Sequence, residues 1–329
     1  MALSINYPID AYEIFGVRRL SPGHPVYLLS GPDLSKLVVK QEMVGFQAGK
    51  KEAMRHNLEL MHAVDTDARI VVLTHGEVQA LNDFVQHETT IATTLGNAVS
   101  VDVQNMSLAL QGGGKWVKMG VKRLMKLDEA AQDRIAGNKA GVRQFAAAMN
   151  APGGLEKLGE ILAVDLFNDN NDRFSVLGGG WFNGTTLNFL INVGNVLLSS
   201  GHLSGLDSWD PNSPTGNARQ PLNNLDPNQQ WGGYLLRPNG SVNNNGQVIT
   251  QEVFAEGVIA DLETILGPRS RKLPGARKQR LEKKAKARLR QGMASAVPKM
   301  RARLRGLATQ RALPVLLQHK ANALGWNPL

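Results

Sequence analysis

Residues 158–174, LGEILAVDLFNDNNDRF, run from the body of a helix into a polar loop that ends on Asp172-Arg173. The full helical stretch, GLEKLGEILAVDLF (154–167), is amphipathic and follows a Pro152-Gly153-Gly154 break. Upstream, DEAAQDRIAGNKAGVRQFAAAM (128–149) also reads as helix. Downstream come glycine-rich loops, the strand candidates NFLINV (188–193) and NVLLSS (195–200), and HLSGLDSW (202–209). Residues 210–246 are crowded with Asn, Pro and Gly and exclude a long regular element, which suits a functional or mobile loop. The helix 248–266, VITQEVFAEGVIADLETIL, closes this half.

The N-terminal part is strand-rich. YEIFGVRRL, VYLLSG and KLVVKQE are β-like runs separated by turns at Ser21-Pro22-Gly23-His24-Pro25 and Gly31-Pro32-Asp33. A helix is expected over 50–64, a strand at ARIVVLT (68–74), and a helix at 75–95. AVSVDVQNMSLAL (98–110) alternates as a strand, and Gly112-Gly113-Gly114 makes a turn or hinge. The sequence has no internal repeat.

Composition narrows the function. With 329 residues and 42% hydrophobic content the chain is globular, and without cysteine it has neither disulfides nor thiolate chemistry. No apolar run reaches membrane-spanning length, and the first residues lack a basic-then-apolar leader, so a Sec signal peptide is not expected. The net charge of +9 is uneven: residues 268–329 carry 17 Lys and Arg against the single acid Glu282, leaving −7 on the rest. RKQRLEKKAKARLRQGM (277–293) and KMRARLRGLATQRALPVLLQH (299–319) read as two basic helices. They suit an acidic protein partner, an anionic membrane surface, or docking back on the acidic body. Trp326 is the only aromatic there to interleave with bases, which disfavours sequence-specific nucleic-acid binding.

Five features occur in a telling order: a hairpin turn with Gly23, a strand lysine (Lys40), a helix glutamate (Glu52 or Glu59), the Asp172-Arg173 loop, and Asn195 followed by Asp207 (or Asp210). Phosphoryl transfer from ATP needs these types. A lysine neutralises phosphate charge and a helix carboxylate steadies it; an aspartate orients the acceptor hydroxyl, and an Asn and a further Asp hold Mg²⁺ on the phosphates.

The stretch from LGEILAVDLFNDNNDRF through GNVLL to GLDSWD resembles the catalytic region of the actin-fragmin kinase family, relatives of protein kinases and of phosphatidylinositol 3- and 4-kinases. Asn168 or Asn170 with Asp172 and Arg173 matches the loop, Gly194-Asn195 the strand, Leu206-Asp207 the hydrophobic-Asp pair, and Lys40 in LVVK the ATP-lysine strand. The likeness covers about residues 10–267, with its distinctive motifs between 172 and 207. It implies an α+β, two-lobed protein-kinase-like fold: a strand-rich lobe at 1–120, a mainly helical lobe at 121–267, and a basic helical extension at 268–329.

The implied activity is ATP- and Mg²⁺-dependent phosphorylation of a Ser or Thr hydroxyl on a protein substrate. Lys40 and Glu52 serve the phosphates under the Gly23 turn, Asp172 the hydroxyl, Arg173 the loop, and Asn195 and Asp207 the metal. Such kinases occur among bacterial effectors and toxins, so a cytoplasmic location or delivery into a target cell is expected. Alternatives are a phosphoinositide kinase, AMP transfer from a flipped nucleotide, and an inactive kinase fold used as a binding module.

Overall fold

Strand alternation and helix caps organise the N-terminal part; a long buried helix organises the rest. The computed structural model describes residues 3–21, 23–43, 60–65, 69–120, 124–168, 170, 173, 181–182, 185–186, 195–199, 201–205, 231–244, 247–267 and 275–327. The architecture is mixed α+β, and the chain forms two units: Met1–Lys51 with Arg69–Lys122, and Glu52–Ala68 with Arg123–Leu329.

In the first unit, β1 (Gly16–Arg19), β2 (Val26–Ser30), β3 (Lys36–Met43), β4 (Ile70–Val72) and β5 (Lys115–Gly120) make an antiparallel sheet in the order β1-β2-β3-β5-β4. Strand side chains alternate between faces. Tyr27, Leu29, Leu37, Val39 and Trp116 therefore share one face, and they form a core with residues of α1 (His75–Thr94) and α2 (Val101–Gln111). Lys40, opposite Val26 and Val117 in the ladder, belongs to the other face.

The alternation of Val99, Val101 and Val103 suggests a strand at 98–110, but this segment is helix α2. Ser100 caps it, accepting from the Val103 amide at 3.3 Å, and the helical stripe Val103, Met106, Leu110 is what is buried. Val101 is 70% exposed between the core-facing Val99 and Val103, and the residues buried beyond it follow helical and not strand spacing.

A buried ion pair ties α1 to the sheet. Lys118 Nζ lies 2.5 Å from Glu77 Oε1 and also donates to the Tyr7 carbonyl at 2.6 Å. The same carboxylate accepts from the Ile9 and Thr74 amides and closes the capping box of α1. Burial alone pushes the Glu77 carboxyl up, but hydrogen bonds from Lys118 and Thr74 and the Lys118 charge outweigh it and hold the group below its ordinary range. A carboxyl depressed on folding stabilises above its unfolded pKa, about 4.3 for Glu, and that contribution disappears as pH falls through the lower folded value. Glu77→Gln is expected to cost about 1–3 kcal/mol at neutral pH by leaving Lys118 without its counter-charge, and to flatten the acid limb. Urea melts between pH 7 and pH 3 check this; an unchanged acid limb in the variant would remove the pair as its source.

The second unit contains a helical stretch at 60–64, then β6 (Leu124–Lys126), α3 (Leu127–Ile135), α4 (Ala140–Asn150) and α5 (Gly154–Asn168). Gly137, at φ 95°, separates α3 from α4, so the helical run 128–149 is two helices. Short hairpin strands β7 (Trp181–Phe182) and β8 (Thr185–Thr186) precede β9 (Leu197–Ser199) and β10 (His202–Ser204), and β9 lies between β10 and β6. β11 (Ser241–Asn244) pairs with β12 (Gln247–Thr250), so residues 248–250 are strand and Thr250 caps α6 (Gln251–Leu266). Every side chain of α5 from Ile161 to Asn168 is buried, which marks it as the central helix.

The basic segment is two helices, as the sequence suggests, but they part at 310–314 and not at 294–298. α7 (Gly275–Thr309) runs through the exposed Pro298, because its buried stripe of Ala285, Leu289, Met293, Ala296, Met300, Leu304 and Leu307 continues on both sides. α8 (Val315–Ala323) follows. α7 lies along α5 and crosses it at glycines. A Cβ on Gly292 would stand 1.9 Å from the Glu156 carbonyl oxygen, and one on Gly159 2.1 Å from that of Leu289. Charge fixes the crossing: Arg288 grips Glu156 at 2.6 Å, and Lys299 pairs with Glu160. The Arg288 hydrogen bond holds the Glu156 carboxyl below its usual range.

Gly292→Ala is therefore expected to destabilise by about 2 kcal/mol or more, since backbone, not a flexible tip, is in the way. Gly306→Ala in the same helix meets open space and should stabilise by about 0.5–1 kcal/mol. Denaturant midpoints of opposite sign confirm the crossing; equal shifts refute it.

Candidate active site

The site grows from the end of α5. Asp165 is a charged residue in a helix that is otherwise buried by apolar side chains, and it is answered from the loop that follows. Arg173 Nη1 donates to both of its oxygens, at 3.1 and 2.9 Å, with side-chain exposures of 1% and 0% for the two residues. Asn170 Nδ2 donates to Asp165 Oδ1 at 2.8 Å, and the Asn170 amide to the Asp165 carbonyl at 2.8 Å. The loop thus turns back on the helix it leaves.

Arg173 also reaches the next segment: its Nε donates to the Asn195 carbonyl at 2.8 Å. Two residues singled out 22 positions apart are joined directly. Asn195 is partly exposed and leads through buried Val196 into β9, and the Leu127 amide bonds the Val196 carbonyl at 3.0 Å. The backbone carbonyl thus anchors Asn195 to Arg173. An amide oxygen and a carboxylate are the hard donors Mg²⁺ takes. The donor set of Asn195 with Asp207 fits that ion; Asp207 itself, with Asp172, Glu52, Glu59 and Asp210, lies outside the described residues.

The approach to Asp207 is nevertheless visible. Gly205 N and Ser204 Oγ, at the end of β10, donate to the buried carboxylate of Asp65 at 2.9 and 3.2 Å. Asp65 ends the helical stretch 60–64, whose Val64 carbonyl accepts from Lys157 of α5. One carboxylate therefore ties this helix end to the end of β10, three residues before Asp207.

In the other unit, Lys40 sits on the central strand of the sheet and pairs with Glu42 at 2.9 Å, two residues along the same strand face. Gly23 lies exposed in the β1–β2 turn, where a Cβ would meet nothing within 4 Å. His24 and His202 are exposed. Trp326 is not available for stacking on bases: it is buried and lies flat on Phe167, centroids 5.4 Å apart.

Asp165, Asp65 and Glu42 are the residues that sequence reading passed over. Asp165 carried a signal, a carboxylate in the apolar run AVDLF that needs a buried cation. Glu42 carried a weaker one, i+2 from Lys40 on a strand. Asp65 carried none.

Comparisons with family models, curated proteins and solved structures returned no match, so the reading below stands on residues and geometry.

Proposed function

We propose that this chain is an ATP-dependent kinase with a two-lobed, protein-kinase-like fold, transferring the γ-phosphoryl group to a Ser or Thr hydroxyl of a protein. The observation that carries the reading is the Arg173–Asn195 bond, which joins Arg173, held on the buried Asp165, to the segment that leads into β9. Support also comes from Lys40, placed on the third strand after a glycine-bearing hairpin, the position a phosphate-gripping lysine occupies in protein kinases.

In this reading Asp172 accepts the proton of the acceptor hydroxyl as its oxygen bonds the γ-phosphorus; the bond to the β–γ bridging oxygen breaks and ADP leaves. Lys40, steadied by Glu52, neutralises the α/β-phosphates. Asn195 and Asp207 would hold Mg²⁺, which would add neutralisation of the phosphate oxygens. Arg173 keeps the loop in register. No helix among the described residues is long and apolar enough to cross a membrane.

The test incubates the protein with Mg-ATP labelled at the γ- or the α-phosphate, together with cell extract or phosphoinositide vesicles. Label from the γ position on protein supports the reading. Label from the α position means AMP transfer, label on vesicles means a lipid acceptor, and absence of Mg-ATP binding means an inactive module.

A further inference from the structure

The end of α5 is gripped from a second side. Lys320 of α8 is fully buried, and its Nζ donates to the Asn168 carbonyl at 3.2 Å. The same Nζ stands 5.9 Å from the ring centroids of both Phe167 and Trp231. A lysine that serves only packing keeps its ammonium in water; this one has its charge inside. A buried ammonium needs compensation, and the helix end contributes to it. The Asn168 carbonyl belongs to the last turn, which lacks helical donors and carries partial negative charge, and the two aromatic faces add to it.

The helix bearing Lys320 is itself held down. Leu317, Ala321, Leu324 and Trp326 are buried, Trp326 stacks on Phe167, and Arg237 donates to the Ala323 carbonyl. Asn168 is two residues before Asn170 and five before Arg173, the groups that close on Asp165.

We propose that Lys320 is a positioning residue: α8 clamps the end of α5 and so holds Asn170 and Arg173, whose network with Asp165 the kinase reading places beside the phosphotransfer site. Its catalytic meaning rests on the kinase reading above, whereas the clamp itself can be measured without it.

The experiment uses the full chain with Lys320→Met, and Leu317→Val as a control that weakens α8 packing without touching the loop. Hydrogen exchange at the Asn170 and Arg173 amides should accelerate about tenfold or more in Lys320→Met while α7 stays protected. The kcat should fall about tenfold or more, with KM for ATP within about twofold, as for a group that positions the reacting residue and does not bind nucleotide. Leu317→Val should lower Tm and leave both readouts near wild type.

Unchanged loop exchange in Lys320→Met overturns the clamp. Faster exchange with unchanged kcat overturns its role in the reaction, and the same changes in Leu317→Val reduce Lys320 to ordinary helix docking. If the wild-type chain transfers no phosphate, the kinase reading falls and the clamp is decided by exchange alone.

Discussion

Asp172→Ala should lower phosphoryl transfer by about 10³-fold, roughly 4 kcal/mol of transition-state stabilisation, with the fold intact. The residue is assigned to the acceptor hydroxyl and not to the nucleotide, so the loss belongs in kcat, and KM for ATP should hardly move. Asp207→Ala should be as damaging by a different route. A lost metal carboxylate weakens both Mg-ATP binding and charge neutralisation, so KM rises while kcat falls. Steady-state kinetics with circular dichroism on both variants separates the two roles. Wild-type-like turnover in either variant would end the mechanism.

The second large effect is on stability. Asp165 and Arg173 are both buried, and their charges answer each other with Asn170 as the third member. Removing one partner, as in Asp165→Leu, leaves an uncompensated charge in the interior and should cost about 3–5 kcal/mol. Arg173→Met adds a further fault, because the Asn195 carbonyl loses its donor. The double variant Asp165→Leu with Arg173→Met should cost less than the sum of the single changes, since no lone charge remains. Denaturant melts of the four proteins measure the coupling; strict additivity would mean that the two side chains do not depend on each other.

The segments that were legible in the sequence were those whose signal is local. The helix at 154–168 shows in its apolar run and its Pro-Gly-Gly start, and the strands at 26–30 and 36–43 show in Val and Leu runs bounded by turns. Segment 98–110 misleads because three alternating valines imitate a strand over a short window, while the Ser100 cap and the 3,4-spaced stripe act over a longer one. The break between the two basic helices is misplaced similarly: α7 continues through Pro298, because the stripe packed against α5 outweighs one missing hydrogen bond.

By itself the sequence determined the α+β class and the concentration of positive charge after residue 267, because composition and short-range periodicity are properties of the chain. Only the tertiary structure decided which charges are buried and what answers them: Asp165 with Arg173, Glu77 with Lys118, and Lys320 with the end of α5. The reason is that an ion pair's role depends on its removal from water, and burial is set by which helices and strands pack together, a relation between segments up to 152 residues apart that no local pattern encodes.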